Sequence, residues 1–364
     1  MRLSKGFSGC YWIIVGLNAL LMFNVTQSAT VESLYTVTIP RDQAISGAQL
    51  PSTDEDYVIL AMSQLLTRVT GRIDAFLEPS LQELVRNADS PEYVMDKGWP
   101  DLEGYRVTFD GRAILDALFE INEPIWVGER PLILLWLAVD TESGERGILA
   151  SESLREMRSV DFVDTEDEIR NELIRVATSR GLPIRFPFWD SEDMNSLDFI
   201  DIWNGFSNRV LQSSLRYGAD AILNGRVWDT PRGREVQWTL IRGNERFILP
   251  GRTISSGLEQ LADLYSREFS SFGDPTVAYV TVTNLSTLED YAQVMNYIED
   301  LQERYILNSV DIEEYTETTL SLRLIVRGGS QLLGKVLTLN NFLSPVPAIS
   351  DDPLEGRLTF SLNK

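Results

Sequence analysis

Apolar residues recur along this chain at strand-like and helix-like spacings, and the order of those spacings divides it into three blocks. The first runs from 30 to 128. Leu34-Tyr35-Thr36-Val37-Thr38-Ile39 alternates, which predicts a strand with Tyr35, Val37 and Ile39 on one face. A helix is expected after Ser52, capped with Glu55, with Val58, Ala61, Met62, Leu65, Leu66 and Val69 inward and Gly71 as its stop. Pro79 and Pro91 each open a further short helix. Gly104–Phe109 reads as a strand, and Ile114, Leu115, Leu118 and Phe119 as the helix after it.

The second block, 129–273, begins with the continuous apolar run Leu132–Val139, the pattern of a strand buried on both faces. A helix from Thr165 turns Ile169, Leu173, Val176 and Ala177 inward and stops at Gly181, before a short strand Pro183–Phe186. One helix is expected over Asp198–Tyr217, then a strand Ala219–Leu223, a meander through Val236–Ile241 and Arg246–Leu249, and a helix Leu258–Phe272. The third block, 274–364, shows a strand Val277–Val282, a helix capped by Ser286 and Glu289 with Leu288, Tyr291, Val294, Met295, Ile298 and Leu301 inward, and strands Val310–Tyr315 and Leu320–Val326. A helix at Leu332–Leu337 and a final strand Leu358–Leu362 complete a β-α-β-β-α-β order, the ferredoxin-like arrangement. The expected fold class is therefore mixed α+β or α/β, in three small domains. No fixed-period repeat appears.

Residues 1–29 have the form of an export signal. Arg2 and Lys5 precede an apolar run from Tyr11 to Val25, and the small-residue exit Thr26-Gln27-Ser28-Ala29 places cleavage after Ser28 or Ala29. The run includes Asn18 and Asn24 and falls short of the about 20 apolar residues a spanning helix needs. No later stretch reaches that length, so no membrane span is expected once the signal is removed. The only thiol, Cys10, lies inside the signal, and the chain has no histidine. Ser-His-Asp and Cys-His chemistry and nearly every zinc site are thereby excluded, and disulfides with them.

The formal net charge is −22, an acidic surface that disfavours nucleic-acid phosphate and anionic lipid. The charges are dispersed among 43% hydrophobic residues, as in a globular protein. Lysine occurs only at Lys5, Lys97, Lys335 and Lys364, so the basic side chains are overwhelmingly arginine, suited to bidentate pairing with carboxylates.

Candidate chemistry is sparse. Gly329–Val336 nearly spells a phosphate loop, but Val336 stands where a magnesium-binding hydroxyl is needed; a Gly328-Gly329 turn with Ser330 as helix cap explains the same letters. The acidic run Asp161, Asp164, Glu166, Asp167 and Glu168 fails the spacing of a calcium loop, since Ile169 takes the glycine position; a helix start with Thr165 and Glu168 as capping box accounts for it. Trp189, Asp190 and Glu192 follow a strand end, where an aromatic beside carboxylates can bind sugar and a carboxylate pair can cleave a glycosidic bond without histidine. A solvated loop with a tucked tryptophan is the plainer account. No catalytic residue, metal site or cofactor is assigned.

Leu65-Leu66-Thr67-Arg68-Val69-Thr70-Gly71-Arg72-Ile73-Asp74 resembles the hallmark of an uncharacterised family of secreted proteobacterial proteins, catalogued as domain of unknown function 2066. Pro131–Val139, Arg180-Gly181-Leu182-Pro183 and Tyr217–Arg226 extend the likeness over most of the chain. The resemblance implies a Gram-negative periplasm and brings no activity or catalytic residue with it. The middle block is similar to the amino-terminal domain of TolB and related envelope proteins, which make protein contacts. Together these readings lead to the expectation of a non-enzymatic periplasmic protein that binds another envelope protein. The alternative is a carboxylate-based protein that binds or hydrolyses a glycan such as peptidoglycan.

Overall fold

The structure, a computed structural model, describes residues 34–41, 51–100, 104–126, 130–151, 159–205, 207–243, 245–271, 273–303, 306–347 and 357–364. The export signal expected over residues 1–29 lies outside them. Among the described residues no helix is long and apolar enough to cross a membrane.

The chain is a mixed α+β protein with three separate sheets of three, six and five strands. In the first sheet β1 (Thr36–Pro40) and β2 (Val94–Gly98) flank β3 (Gly104–Phe109), both antiparallel to it. Tyr35, Val37 and Ile39 are buried as their alternation requires. Helix α1 (Asp54–Thr70) buries Val58, Ala61, Met62, Leu65, Leu66 and Val69 and ends on Gly71. Its cap is Thr53 with Asp56, one residue beyond the expected Ser52 and Glu55, because Asp56 accepts from both backbone N–H groups, Ser52 at 2.9 Å and Thr53 at 3.0 Å. After Pro79 comes the short helix α2 (Gln82–Arg86). After Pro91, where a helix was expected, the chain turns into β2. Its exposed residues offer no apolar face for a helix, and pairing with β3 satisfies the backbone instead. Helix α3 (Gly111–Glu120) follows β3.

The second sheet is built on β4 (Ile133–Asp140), buried on both faces. The hairpin partner β5 (Arg146–Ile148) and the two-residue β6 (Ile184–Arg185) both pair with it. β7 (Ala221–Thr230) runs parallel to β4, and β8 (Gly233–Arg242) and β9 (Glu245–Leu249) follow as an antiparallel meander. Helix α4 spans Val160–Arg180, starting five residues before Thr165. Ser159 caps it by accepting from Phe162 N–H at 3.2 Å, and its buried face begins at Phe162, so the acidic run lies within the helix with Glu166 buried.

The single helix expected over Asp198–Tyr217 is three pieces: α6 (Phe199–Trp203), α7 (Ser207–Ser214) and a 3-10 turn Leu215–Tyr217. The break falls at Gly205, whose φ of 64° is left-handed. A further helix, α5 (Ser191–Ser196), occupies the expected loop. Helix α8 (Ser256–Phe269) closes this part of the chain.

In the third sheet β10 (Thr276–Thr283), helix α9 (Leu288–Glu303), β11 (Leu307–Tyr315), β12 (Leu320–Val326) and helix α10 (Gly329–Leu337) follow the expected order. Thr287 and Asp290, again one residue on, cap α9, and Leu288 points to solvent while Val294, Ile298 and Leu301 are buried. Gly328, left-handed at φ 81°, occupies the cap position of α10, which puts Ser330 inside its first turn. The end differs more. A short strand β13 (Leu343–Pro345) precedes β14 (Arg357–Leu362), and β14 lies between β10 and β13, parallel to β10.

One continuous hydrophobic core joins all three sheets, and a second fills the opposite face of the six-stranded sheet beneath α5–α7. The first core closes around buried arginines. Arg130 donates to the carbonyls of Arg180 (3.0 Å) and Gly181 (3.2 Å) at the end of α4 and to that of Arg68 near the end of α1, and lies 4.0 Å over the Trp126 ring. A cation there answers the negative ends of two helix dipoles. Burial pulls the guanidinium pKa values down, to about 9 for Arg130 and about 10 for Arg68.

Candidate functional site

Trp189, Asp190 and Glu192 sit together where the chain leaves β6 and enters α5. Asp190 is the N-cap, accepting from the backbone N–H groups of Glu192 and Asp193 at 3.1 Å each. Arg216, from the 3-10 turn, forks onto both its oxygens at 2.8 Å. That bidentate pair holds the Asp190 carboxyl well below the usual carboxylate range and raises the Arg216 guanidinium. Glu192 is exposed, 3.6 Å from the same guanidinium.

Beneath them Asp193 is fully buried and accepts from Trp189 N–H at 2.9 Å and the Tyr217 hydroxyl at 2.5 Å. Burial, with the bond to Asp193, pushes the Tyr217 phenol up. The Trp189 ring meets Trp136 edge-on at 6.3 Å, inside the second core, and its backbone is left-handed at φ 53°. A glycosidic acid needs a raised pKa, and Asp190 is pushed the other way. The chemistry of this corner is that of a pinned helix start.

A different feature lies on the same face of the sheet. Helices α5–α7 cover Leu134, Trp136, Ala138, Ile222 and Ile241 and pack less closely on the far half of β7–β9. There a cleft of about 330 Å³ opens between the Trp203–Gly205 turn and the strands. Asn224 and Arg226 of β7 and Gln237 and Thr239 of β8 line it, with Arg246 and Ile248 of β9 at its outer side. Asn224, 4% exposed, donates through Nδ2 to the Ile202 carbonyl at 2.9 Å, and its buried Oδ1 has no partner. Arg226 donates to Gln237 Oε1, its cross-strand neighbour, and lies 6.0 and 5.6 Å over the Trp203 and Trp228 rings. Arg246 reaches the Gly205 carbonyl at 3.1 Å. A second cleft of about 320 Å³ continues past Ile248, with Trp228, Glu235 and Arg252 among its walls.

Two guanidiniums and no carboxylate line the first cleft, in a chain of net charge −22. Among the described residues Arg226 makes no ion pair, and no group of three Asp or Glu side chains is placed to hold a metal. The sequence held one trace of the cleft. Asn224 and Arg226 alternate along β7, and Gln237 and Thr239 along β8, as polar positions where a covered face would be apolar. The helix expected over 198–217 is broken at Gly205, and the cleft opens beside that break.

β9 is also the outermost strand of its sheet. Phe247 is 42% exposed and Ile248 72%. β9 also carries Glu245 and Arg246, and the other described edges are short or charged. β11 carries Asp311 and Glu313, paired with Arg323 and Arg357 at 3.0 Å each; β2 carries Asp96 and Lys97; β13 and β5 are three residues long; and β1 ends at Pro40 with its Thr36 carbonyl bonded to Arg68. Comparison with family models, with curated proteins and with solved structures found no match for this chain.

Proposed function

We propose that this protein is a non-enzymatic, exported factor of the Gram-negative cell envelope that binds another envelope protein through β9 and the sheet face beside it. The observation that carries the reading is the exposed apolar pair on this edge. Two exposed apolar residues stand on the outermost strand of the six-stranded sheet, next to a cleft with no general acid or base among its lining residues. An unpaired edge with apolar side chains is a template for a strand from a partner. The export signal read at residues 1–29 and the resemblance to a secreted proteobacterial family support the compartment. The likeness of the middle block to the TolB amino-terminal domain, whose relatives make protein contacts, supports the mode of action. In the same reading the blocks 30–128, 129–273 and 274–364 are three domains. The last keeps the ferredoxin-like element order as far as α10, while β14, parallel to β10, departs from the antiparallel end of that fold.

A photocrosslinking amino acid at position 248, in cells, tests the reading against the same group at Val160, 75% exposed on α4 and far along the chain from the edge. The expected result is an adduct from 248 alone, its partner peptide identified by mass spectrometry as a segment of one envelope protein. Only monomer from both positions overturns it. The glycan reading keeps Asp190 and Glu192 as its candidates, and sedimentation with purified peptidoglycan before and after Asp190→Ala and Glu192→Ala separates it.

A further inference from the structure

We infer that the cleft between the Trp203–Gly205 turn and the strands is a binding site for a neutral sugar. The inference goes beyond the docking reading and does not rest on it, because the groups that carry it stand on β7 and β8, inward of the β9 edge. Register sets four polar side chains in a block. Arg226 faces Gln237 across the ladder, and two residues along Asn224 faces Thr239. Cross-strand neighbours lie about 5 Å apart and i, i+2 neighbours about 7 Å, so the block has the footprint of one sugar ring. Ile248, next in line beyond Thr239, walls it on the outer side. The Trp203 and Trp228 rings stand beside it, 6.3 Å apart and edge to face, with Arg226 against both.

The bonding left open in the block selects the ligand. Gln237 Oε1 already accepts from Arg226, so the Gln237 amide nitrogen and the other Arg226 N–H groups remain as donors. The Thr239 hydroxyl both donates and accepts. Asn224 lies at the floor, 4% exposed, with an Oδ1 that takes no bond. A buried acceptor without a donor is costly, and the ligand must therefore donate as well as accept. The turn beside it carries no side chain at Gly205, where a Cβ would meet the Asn224 amide at 4.0 Å and no residue beyond its own chain neighbours. A carboxylate or phosphate only accepts and would leave the floor unanswered, and an ammonium only donates and would meet the Arg226 charge. A hydroxyl does both through one atom. A ring bearing several hydroxyls meets the donors and the acceptor together, while its C–H face lies against indole. The volume of about 330 Å³ suits so compact a ligand. No Asp or Glu lines this cleft, so the carboxylate pair of a glycosidase is missing and the site binds without cleaving.

The test titrates methyl α-D-glucopyranoside and N,N′-diacetylchitobiose into the full chain, with sodium phosphate and acetamide for comparison, and follows tryptophan fluorescence. The expected result is saturation by a sugar with a Kd of about 1 mM, the scale for so small a ligand. Arg226→Gln should weaken it about tenfold, through loss of a charged donor, and Thr239→Val about threefold. Glu192→Ala, at the exposed corner on α5, should leave it unchanged. Far-UV circular dichroism establishes that each variant is folded. Tighter binding of the disaccharide names a glycan chain as the source of the sugar, and equal or weaker binding names a free sugar; either keeps the site. Saturation by neither sugar overturns the inference, as does phosphate or acetamide binding as tightly as the sugars. An affinity that both cleft variants leave intact, or that Glu192→Ala removes, overturns it too. None of these outcomes touches edge docking, which the crosslink at position 248 decides by itself.

Discussion

Replacing Arg130 by methionine tests whether the buried arginine at the meeting of α1 and α4 holds the core together. Methionine keeps much of the stem's volume and removes the charge and every donor. The structure gives Arg130 bonds of 3.0 and 3.2 Å to the Arg180 and Gly181 carbonyls, a bond to the Arg68 carbonyl, a long one of 3.4 Å to Trp126, and a ring contact at 4.0 Å. Bonds from a charged donor contribute about 1.5–3 kcal/mol each and a desolvated cation–π contact about 2 kcal/mol. Against these stands the cost of desolvating the guanidinium, several kcal/mol, which methionine avoids. The Arg68, Arg180 and Gly181 carbonyls it leaves behind sit at helix ends with no other bond to a described residue, so the loss outweighs the relief. A net destabilisation of about 3 kcal/mol follows. Urea unfolding of the full chain, followed by tryptophan fluorescence and by far-UV circular dichroism, should show a lower midpoint. If the methionine variant is as stable as the parent or more so, as happens when apolar residues replace some buried ions, the account of this junction is wrong.

Further outcomes follow from close contacts and from charge. A Cβ on Gly225 would stand 2.3 Å from Leu137 Cδ1 and 2.5 Å from the Trp238 ring, so Gly225→Ala should cost about 1–3 kcal/mol by overpacking, read as a lower thermal midpoint. Asp56, bonded by the Ser52 and Thr53 backbone, titrates at about 2 instead of 3.8. A depressed carboxylate stabilises the fold fully above its unfolded pKa, so this contribution should hold above pH 3.8 and fade as pH falls toward 2. Asp56→Asn should flatten that part of a stability–pH curve, and an unchanged curve would count against the cap. Asp190→Ala should lower the melting temperature while Glu192→Ala leaves it unchanged, because Asp190 caps α5 and pairs with Arg216 whereas Glu192 is exposed; equal effects would undo the assignment of the pinned corner.

Much of the fold was legible in the sequence because burial imposes a period. Gly104–Phe109 and Leu320–Val326 are strands at the very residues where the pattern set them, and the apolar run Leu132–Val139 is buried on both faces as it reads. The misses share a cause: they lie where backbone pairing or a local cap decides and the side chains carry no period. β2 is an exposed edge strand with Asp96 and Lys97 along it, and β13 has three residues, too few to show alternation. Caps fell one residue late at Thr53 and Thr287 because adjacent Ser-Thr pairs offer two equivalent hydroxyls, and the positions of Asp56 and Asp290 choose between them. The arginine junction was half visible: Arg68 and Gly71 belong to the stretch read as a family hallmark, yet Arg130, which bonds Arg68, and Arg180, which bonds Gly71, lie across the first block's boundary. The cleft stayed hidden for a tertiary reason. Polar residues on β7 and β8 line a cleft that opens beside the chain break at Gly205.

Edge docking at β9 is the claim on which the functional account stands, and amide hydrogen exchange of the full chain, with and without the partner peptide identified from the crosslink at position 248, tests it most directly. The account predicts slowed exchange within Glu245–Leu249, with the guarded edges Val94–Gly98 and Leu307–Tyr315 unchanged. Unaltered exchange at Glu245–Leu249, or protection appearing at Leu307–Tyr315 in its place, would contradict it.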